Sequence, residues 1–496
     1  MALSPDDRAE LFALLRRDAH RFGPTLARLA FERGLAVTQK ADGARRPIPV
    51  TATPALVPQA ELLRRQRLAA RLASAGLKMS RAVLAGPRRD MVLAGLSPLE
   101  RALAAATFQR LDTLVTTRVD FFPGARLSAL ELNATIPAMQ AYSDIAAHTF
   151  LEVVGEAWRA PAHTVARWQA DNGSNALALY RALLAGYAKV RPGQTPERIA
   201  LLSRRNDAQL TEQHALCARF RAWGADADVV HPDQLSGADA VRAGDKAYDL
   251  VYRHLFVRRL EEADLPGADY VKALLAEPNG TRAVVLNPPA TQVEVKAVFA
   301  LLSQAVEDAA LAQEAGLTAD ELAAVAEAVP WTRWLRGEAL EQQVAAAPER
   351  YVLKRSWDYG GRAVFVGATR GTPGFDERVK AAYGAALDWP ALCARTAADE
   401  VGGGFVVQEL VPLAPEAHLL CEGDAQREAS LYVDFSAYAS VGLDAQPTWG
   451  GVCRGSASHI VNIVGGGGVL PLIAEEVAAA LLVAGRAAAT LPPRSA

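Results

Sequence analysis

The chain has 496 residues, 51% of them hydrophobic, enough apolar matter to bury several cores. Its 53 lysines and arginines nearly balance 55 aspartates and glutamates, so a net charge of -2 gives no case for nucleic acid or an anionic membrane as partner. The four cysteines, Cys217, Cys393, Cys421 and Cys453, lack metal-ligand spacing and read as reduced, buried thiols of a cytoplasmic protein.

The first residues carry neither a basic start nor a long apolar core, which argues against a secretory signal; Ser4 reads instead as a helix N-cap, with Pro5 in the first turn. Residues 1–112 form a region rich in Ala, Leu and Arg at helical spacing, with Pro-rich breaks near 48–58. Its arginines read as a solvated helix face. The nearest approach to a membrane span, 477–491, is alanine-rich and interrupted by Arg486.

Residues 115–133 read as a β-hairpin. Val115, Thr117, Val119 and Phe121 alternate with Thr116, Arg118, Asp120 and Phe122, and Leu130 and Leu132 alternate with Glu131 and Asn133. A four-residue loop at 123–126 predicts that Arg118 lies opposite Glu131, with Asp120 on the same side. Two carboxylates and an amide oxygen on one face suit Mg²⁺ carrying a nucleotide phosphate; a solvated hairpin face is the competing reading.

Further along, Asp144 stands before a helical stretch, either to touch a substrate amine or to cap. A strand at 199–203, a helix at 209–223 and strands at 227–230 and 248–253 predict a small parallel α/β unit. Ligands gather at the carboxyl ends of such strands, so Arg204, Arg205 and Arg253 are candidates for an acidic substrate, with salt bridging as the alternative. Asn287-Pro288-Pro289 breaks the chain before a helix whose first turn holds Lys296, where the helix dipole does not ask for a cation. Thr318 and Glu321 have capping-box spacing. Strands at 351–355 and 363–367 flank a loop, 356–362, whose Gly360 and Gly361 let amides approach phosphate oxygens beside Lys354. Gln408, Glu409, Leu410 and Val411 end a buried strand, a place for an adenine or ordinary sheet-edge polarity. A strand at 431–438 follows, and Arg454, after Trp449-Gly450-Gly451, is suited to neutralise charge on a transferring phosphoryl group.

Five blocks occur in one order: Arg118-Val119-Asp120-Phe121 with Glu131-Leu132-Asn133; Asn287-Pro288-Pro289 with Lys296; Tyr351-Val352-Leu353-Lys354 with Gly360-Gly361; Val407-Gln408-Glu409-Leu410; and Gly450-Gly451-Val452-Cys453-Arg454-Gly455. In this the chain resembles the circularly permuted ATP-grasp ligases, and within them the synthetase domain of glutathionylspermidine synthetase. The resemblance implies an α+β ATP-grasp fold with an inserted, pre-ATP-grasp-like α/β unit and a helical N-terminal region. The divisions it implies are 1–112 (helical), 113–190 (metal-binding hairpin), 191–282 (inserted unit), 283–404 (nucleotide-binding subdomain), 405–471 (completion of the active site) and 472–496 (C-terminal helix and tail). It further implies that Asp120, Glu131 and Asn133 hold Mg²⁺, and that Lys296, Lys354, Gly360 and Gly361 meet ATP phosphates. Gln408 to Val411 would line the adenine pocket, and Arg118 and Arg454 would act on the reacting groups.

The reaction implied is ATP-dependent joining of a small-molecule or peptide carboxylate to an amine, through an acyl phosphate. Two departures stand out: the amidase half that often accompanies such synthetases is absent, and Arg355 replaces the proline expected after the phosphate lysine. Asp358 resembles a third metal ligand of related synthetases, with a plain loop aspartate as the alternative. A phosphotransferase acting on a hydroxyl and a non-catalytic nucleotide-binding scaffold remain open as rivals. Neither the two substrates nor the oligomeric state is named by the sequence.

Overall fold

The computed structural model describes residues 3–39, 41–277, 281–358, 360–443, 450–461 and 467–490. Tyr359, Trp449 and residues 462–466, all within segments singled out above, lie outside the described residues.

The strands that position the site are, in chain order, β1 (Val50–Thr51), β2 (Leu114–Pro123), β3 (Leu127–Asn133), β4 (Arg198–Leu202), β5 (Asp226–Val230), β6 (Leu250–Arg253), β7 (Val284–Leu286), β8 (Thr332–Trp334), β9 (Tyr351–Arg355), β10 (Val364–Val366), β11 (Phe405–Glu409), β12 (Glu416–Glu422), β13 (Ala425–Val441), β14 (Val452–Ser456) and β15 (Gly468–Leu470). They form three sheets. A seven-stranded sheet runs β12-β1-β15-β14-β13-β2-β3, and because β13 also pairs with β12, five of its strands close a ring. A parallel sheet runs β7-β6-β4-β5, and an antiparallel sheet runs β8-β11-β9-β10.

Helices Pro5–Glu32, Gln59–Ala85, Gln140–Ala157, Lys296–Ala305 and Glu475–Ala489 pack on the large sheet in one core that draws residues from Leu11 to Leu482. Ser4 caps the first helix by accepting a hydrogen bond from the backbone N–H of Asp7, and Thr318 with Glu321 forms a capping box. The strand expected at 248–253 is divided at Asp249: Lys246–Tyr248 joins a separate small sheet, whereas β6 enters the parallel one. The Asp249 carboxylate accepts the backbone N–H groups of Glu197 and Arg198 and so ties off the start of β4. No described helix is long and apolar enough to cross a membrane.

The hairpin is not half-exposed. β2 lies between β13 and β3, and every residue from Leu114 to Phe122 is buried. Its register also differs from the expected one. Pro123 pairs with Leu127, so only residues 124–126 form the loop, and Phe121 faces Ala129. A β-bulge at Leu130 then inserts one residue, so that Asp120 faces Glu131 and Arg118 faces Asn133. The loop is one residue shorter than expected, which alone would have turned Glu131 to the other face; the bulge restores the parity.

Candidate active site

One cavity of about 330 Å³ opens where the large sheet, the antiparallel sheet and the parallel unit meet. Arg118, Asp120, Glu131, Asn133 and Arg454 reach it from the large sheet, and Lys354 and Gln408 from the antiparallel sheet. Lys296, Gly360, Gly361, Glu409, Leu410 and Val411, also marked in the sequence, line the same cavity.

The hairpin is anchored from outside by Asn287. Its side chain accepts the N–H groups of Val115 (2.8 Å) and Thr116 (3.2 Å) and donates to the carbonyls of Thr116 (2.6 Å) and Ala134 (3.2 Å). Glu294 fixes the exit of the hairpin by accepting the N–H groups of Ala134 and Thr135, both at 2.7 Å. This explains why the break at Asn287-Pro288-Pro289 belongs to the site although Pro288 and Pro289 do not line it.

At the floor of the cavity four charged side chains interlock. Asp120 accepts from Arg118 Nε (2.7 Å) and Nη2 (2.9 Å), from Arg454 Nη2 (3.0 Å) and weakly from Asn133 Nδ2 (3.4 Å). Arg454 also grips Asp434, its partner across β13 and β14. Burial alone would raise the Asp120 carboxyl, but the guanidiniums of Arg118 and Arg454 hold it far below the usual carboxylate range.

Lys354 is nearly buried, and its Nζ donates to Gln408 Oε1 at 2.6 Å and to the Leu130 carbonyl at 3.2 Å. The bulge therefore serves twice, since the extra residue it creates supplies a carbonyl to the lysine. Desolvation pushes Lys354 down to about 8. Lys296 Nζ donates to the Asp358 carbonyl at 2.9 Å and lies 3.5 Å from Glu131 Oε2. Gly360 (φ 72°) and Gly361 (φ 69°) have left-handed backbones, and a Cβ on Gly361 would lie 2.7 Å from Ile460 Cγ2, so that loop and the segment after β14 touch at the mouth.

The donor set fits a hard cation in type. Asp120 and Glu131 face each other across the strands, Asn133 follows on the same side, and Glu131 has 36% of its side chain exposed. Asp120, in contrast, has its oxygens engaged by two arginines. Among the described residues no three His, Cys, Asp or Glu side chains are gathered as a metal site; the third donor here is an amide.

Other sequence candidates fall elsewhere. Asp144 is a cap: it accepts from Ser174 Oγ and from the backbone of Asn175 and Ala176 at the start of the helix Asn175–Val190. Arg253 is buried and donates to the carbonyls of Asn287 and Pro288. Arg205 pairs with Asp233, and Arg204 lies 3.6 Å from Asp207 and 3.7 Å from Glu262. None of these four lines the cavity. Asp358 does line it, with its carboxylate 3.8 Å from Arg355. Sequence reasoning passed over Asp434, Glu294, Gln209 and Phe256, which also line it. Asp434 had a usable signal, since it lies on the polar face of an alternating strand; the other three are visible only once distant segments are brought together.

No protein family model matches the chain, and no curated protein matches it in sequence. Among solved structures, a glutathione synthetase-like effector from Globodera pallida, in its apo form, aligns with a TM-score of 0.53 at 11% identity, over 89% of this chain and 94% of that one. A protein named for γ-glutamylcysteine synthetase, from Methylobacillus flagellatus KT, covers 84% of this chain and 95% of its own at 12% identity, but its TM-score of 0.35 carries no argument. The first likeness is one of fold: this chain is a mixed α/β protein with a glutathione synthetase-like architecture.

Proposed function

We propose that the chain is an ATP-dependent carboxylate-amine ligase with a circularly permuted ATP-grasp fold, in which residues 191–282 are an inserted substrate-side unit. The observation that carries this reading is the convergence of residues from all five sequence blocks, separated by up to some hundreds of residues, on one cavity. The order of those blocks and the likeness of fold support it.

In this reading Lys296, Lys354 and the Gly360-Gly361 loop hold the ATP phosphates, and Gln408 to Val411 border the adenine. Gln408 does so only by forming part of the wall, because its side chain is spent on Lys354 and Thr332 and its backbone lies between β8 and β9. Asp120, Glu131 and Asn133 would hold Mg²⁺, which would offset charge on the β- and γ-phosphates. A carboxylate oxygen of the acid attacks the γ-phosphorus, the bond to the bridging oxygen breaks, and ADP leaves. The amine then attacks the acyl carbon, phosphate departs, and the nitrogen loses a proton to give the amide. Arg118 and Arg454, fixed in advance by buried carboxylates, stabilise charge on the reacting oxygens.

The test is calorimetric titration with ATP, with and without Mg²⁺, of the wild type and of Lys354→Ala. Binding strengthened by Mg²⁺ and lost in the variant is the expected result, followed by release of ADP and free phosphate when acid and amine are supplied. Absence of ATP binding to the wild type refutes the reading, and phosphorylated product without free phosphate would replace it with a phosphotransferase.

A further inference from the structure

Asp434 is a buried carboxylate that the sequence did not mark, and it grips an arginine that the ligase reading places at the phosphoryl group. It is 1% exposed and sits directly opposite Arg454, β13 against β14. Its Oδ1 accepts the backbone N–H of Arg454 at 3.0 Å and Nε at 3.2 Å; its Oδ2 accepts Nε at 3.0 Å and also Nη2. Arg454 Nη2 reaches Asp120 Oδ2 as well, at 3.0 Å. The Nε proton and both Nη2 protons are thereby committed. Among the described residues Nη1 makes no hydrogen bond, and both Asp434 and Arg454 line the cavity.

A salt bridge kept only for the fold is a poor account of this arrangement. Burying ions is unfavourable, and a pair of apolar side chains would fill the same space at no such penalty. Here two carboxylates, 1% and 3% exposed, converge on one guanidinium, and a backbone hydrogen bond sets the register of the pair. Such over-determination is what keeps a guanidinium from rotating; it leaves one edge of the fork, Nη1, to meet a ligand.

We propose that Asp434 is a positioning residue that clamps Arg454 so that only Nη1 is presented to the terminal phosphate of a nucleoside triphosphate, making the site discriminate ATP from ADP. This rests on the ligase reading above. Asp120 shares Nη2 of the same guanidinium and also contacts Arg118, whereas among the described residues the hydrogen bonds of Asp434 go to Arg454 alone. A change at Asp434 therefore removes hydrogen bonds to Arg454 and to no other side chain among the described residues.

The experiment is calorimetric titration with ATP and, separately, with ADP, both with Mg²⁺, on the wild type, Asp434→Asn, Asp434→Glu, Arg454→Gln and the double variant Asp434→Asn/Arg454→Gln. Asp434→Glu keeps the charge but displaces the guanidinium by a methylene, so it reports even if Asp434→Asn folds poorly. The wild type should bind ATP more tightly than ADP. Each Asp434 variant should lose about tenfold in ATP affinity, the worth of one hydrogen bond between charged groups, while ADP affinity stays within about twofold. The double variant should bind ATP no worse than Arg454→Gln, because the two residues act as one unit. An unchanged ATP-to-ADP ratio in a folded Asp434 variant, equal losses for both nucleotides, or additive losses in the double variant overturns the inference. Wild-type protein that binds ATP and ADP equally overturns it while sparing the ligase reading; wild-type protein that binds neither overturns both.

Discussion

Replacing Lys354 by methionine should make the protein more stable at neutral pH while removing its affinity for ATP. The side chain is 9% exposed, and its Nζ finds two oxygens, Gln408 Oε1 and the Leu130 carbonyl, but among the described residues no carboxylate within ion-pair distance. Burial, with the nearby charge of Lys296, lowers Lys354 to about 8, against about 10.4 for an unfolded lysine. The unfolded chain thus binds more protons between those two values, and stability rises with pH across that window. Below pH 8 the full penalty applies, about 3 kcal/mol at 1.36 kcal/mol per unit. Above about 10.4 both states are neutral and it vanishes. Methionine removes that term but leaves two acceptors without a donor, which costs about 1–2 kcal/mol beside a cavity that water can enter. The net gain at pH 7 is about 1–2 kcal/mol, turning into a loss of similar size near pH 10.5. Urea unfolding of both proteins at pH 7 and pH 10 measures it, and other titrating groups cancel in the difference. A variant less stable than wild type at pH 7, or a difference that does not change with pH, refutes the reasoning.

Three further outcomes are expected. Glu212 is fully buried, and desolvation raises it to about 7 although it accepts the backbone N–H groups of Met139 and Ala141. Its folded form holds a proton that the unfolded chain releases from about pH 4.3 upward, so stability falls by roughly 3–4 kcal/mol between pH 4 and 8. In Glu212→Gln that portion of the slope should be missing from urea midpoints taken across pH 5–8. Asn287→Ala deletes four buried hydrogen bonds to the hairpin and should destabilise by about 2–4 kcal/mol in the same assay; a change under about 0.5 kcal/mol would mean that the hairpin is held by its strand partners alone. Glu131→Gln should bind ATP in the absence of Mg²⁺ about as the wild type does and should lose most of the strengthening that Mg²⁺ brings, as read by calorimetry; undiminished strengthening would remove Glu131 from the metal set.

Local chemistry made much of this fold legible. The Ser4 and Thr318 caps, the parallel strands around 199–253 and the hairpin at 351–366 were each signalled by patterns local to the segment itself. The register of β2 and β3 was not, because a bulge at Leu130 has no signature in a run such as Ala129-Leu130-Glu131-Leu132. Burial of Arg118 and Asp120 on the polar face of β2 was also hidden. It depends on β13, β14 and the antiparallel sheet arriving from over 200 residues away, up to 334 for Arg454 and Asp120, and an alternating strand reads as half-exposed until its second cover is known. The fates of Arg204, Arg205, Arg253 and Asp144 follow the same logic. The strand-end rule placed the arginines near a crevice, but their partners, Asp233, Glu262 and backbone carbonyls, came from loops that the rule does not describe.

The electrostatics of the cavity divide it into two ends with different tasks. Arg118 and Arg454 are matched by Asp120 and Asp434, so the floor is nearly neutral as a unit although Arg118, Asp120 and Asp434 are buried and Arg454 nearly so. Such a quartet attracts no anion at long range; its value lies in fixed N–H groups that respond to charge developing within hydrogen-bonding distance. Among the described residues Lys296 has one carboxylate within ion-pair distance, Glu131 at 3.5 Å, and Lys354 has none; Glu294 acts on Lys296 and Glu131 and Asp120 on Lys354 from farther off, and Lys354 is held at a reduced basicity by burial. That end holds the less tightly paired cations, and in the ligase reading it is the one that would draw the polyphosphate. An incoming phosphate would restore Lys354 to full charge, so ATP binding at pH 8 to 9 should take up protons from solution, visible as a binding enthalpy that changes with the ionisation enthalpy of the buffer. Enthalpies identical in phosphate and Tris buffers at pH 8.5 would show that Lys354 is already fully charged before the nucleotide arrives, and the division between a neutral reacting floor and an attracting lysine end would then have to be redrawn.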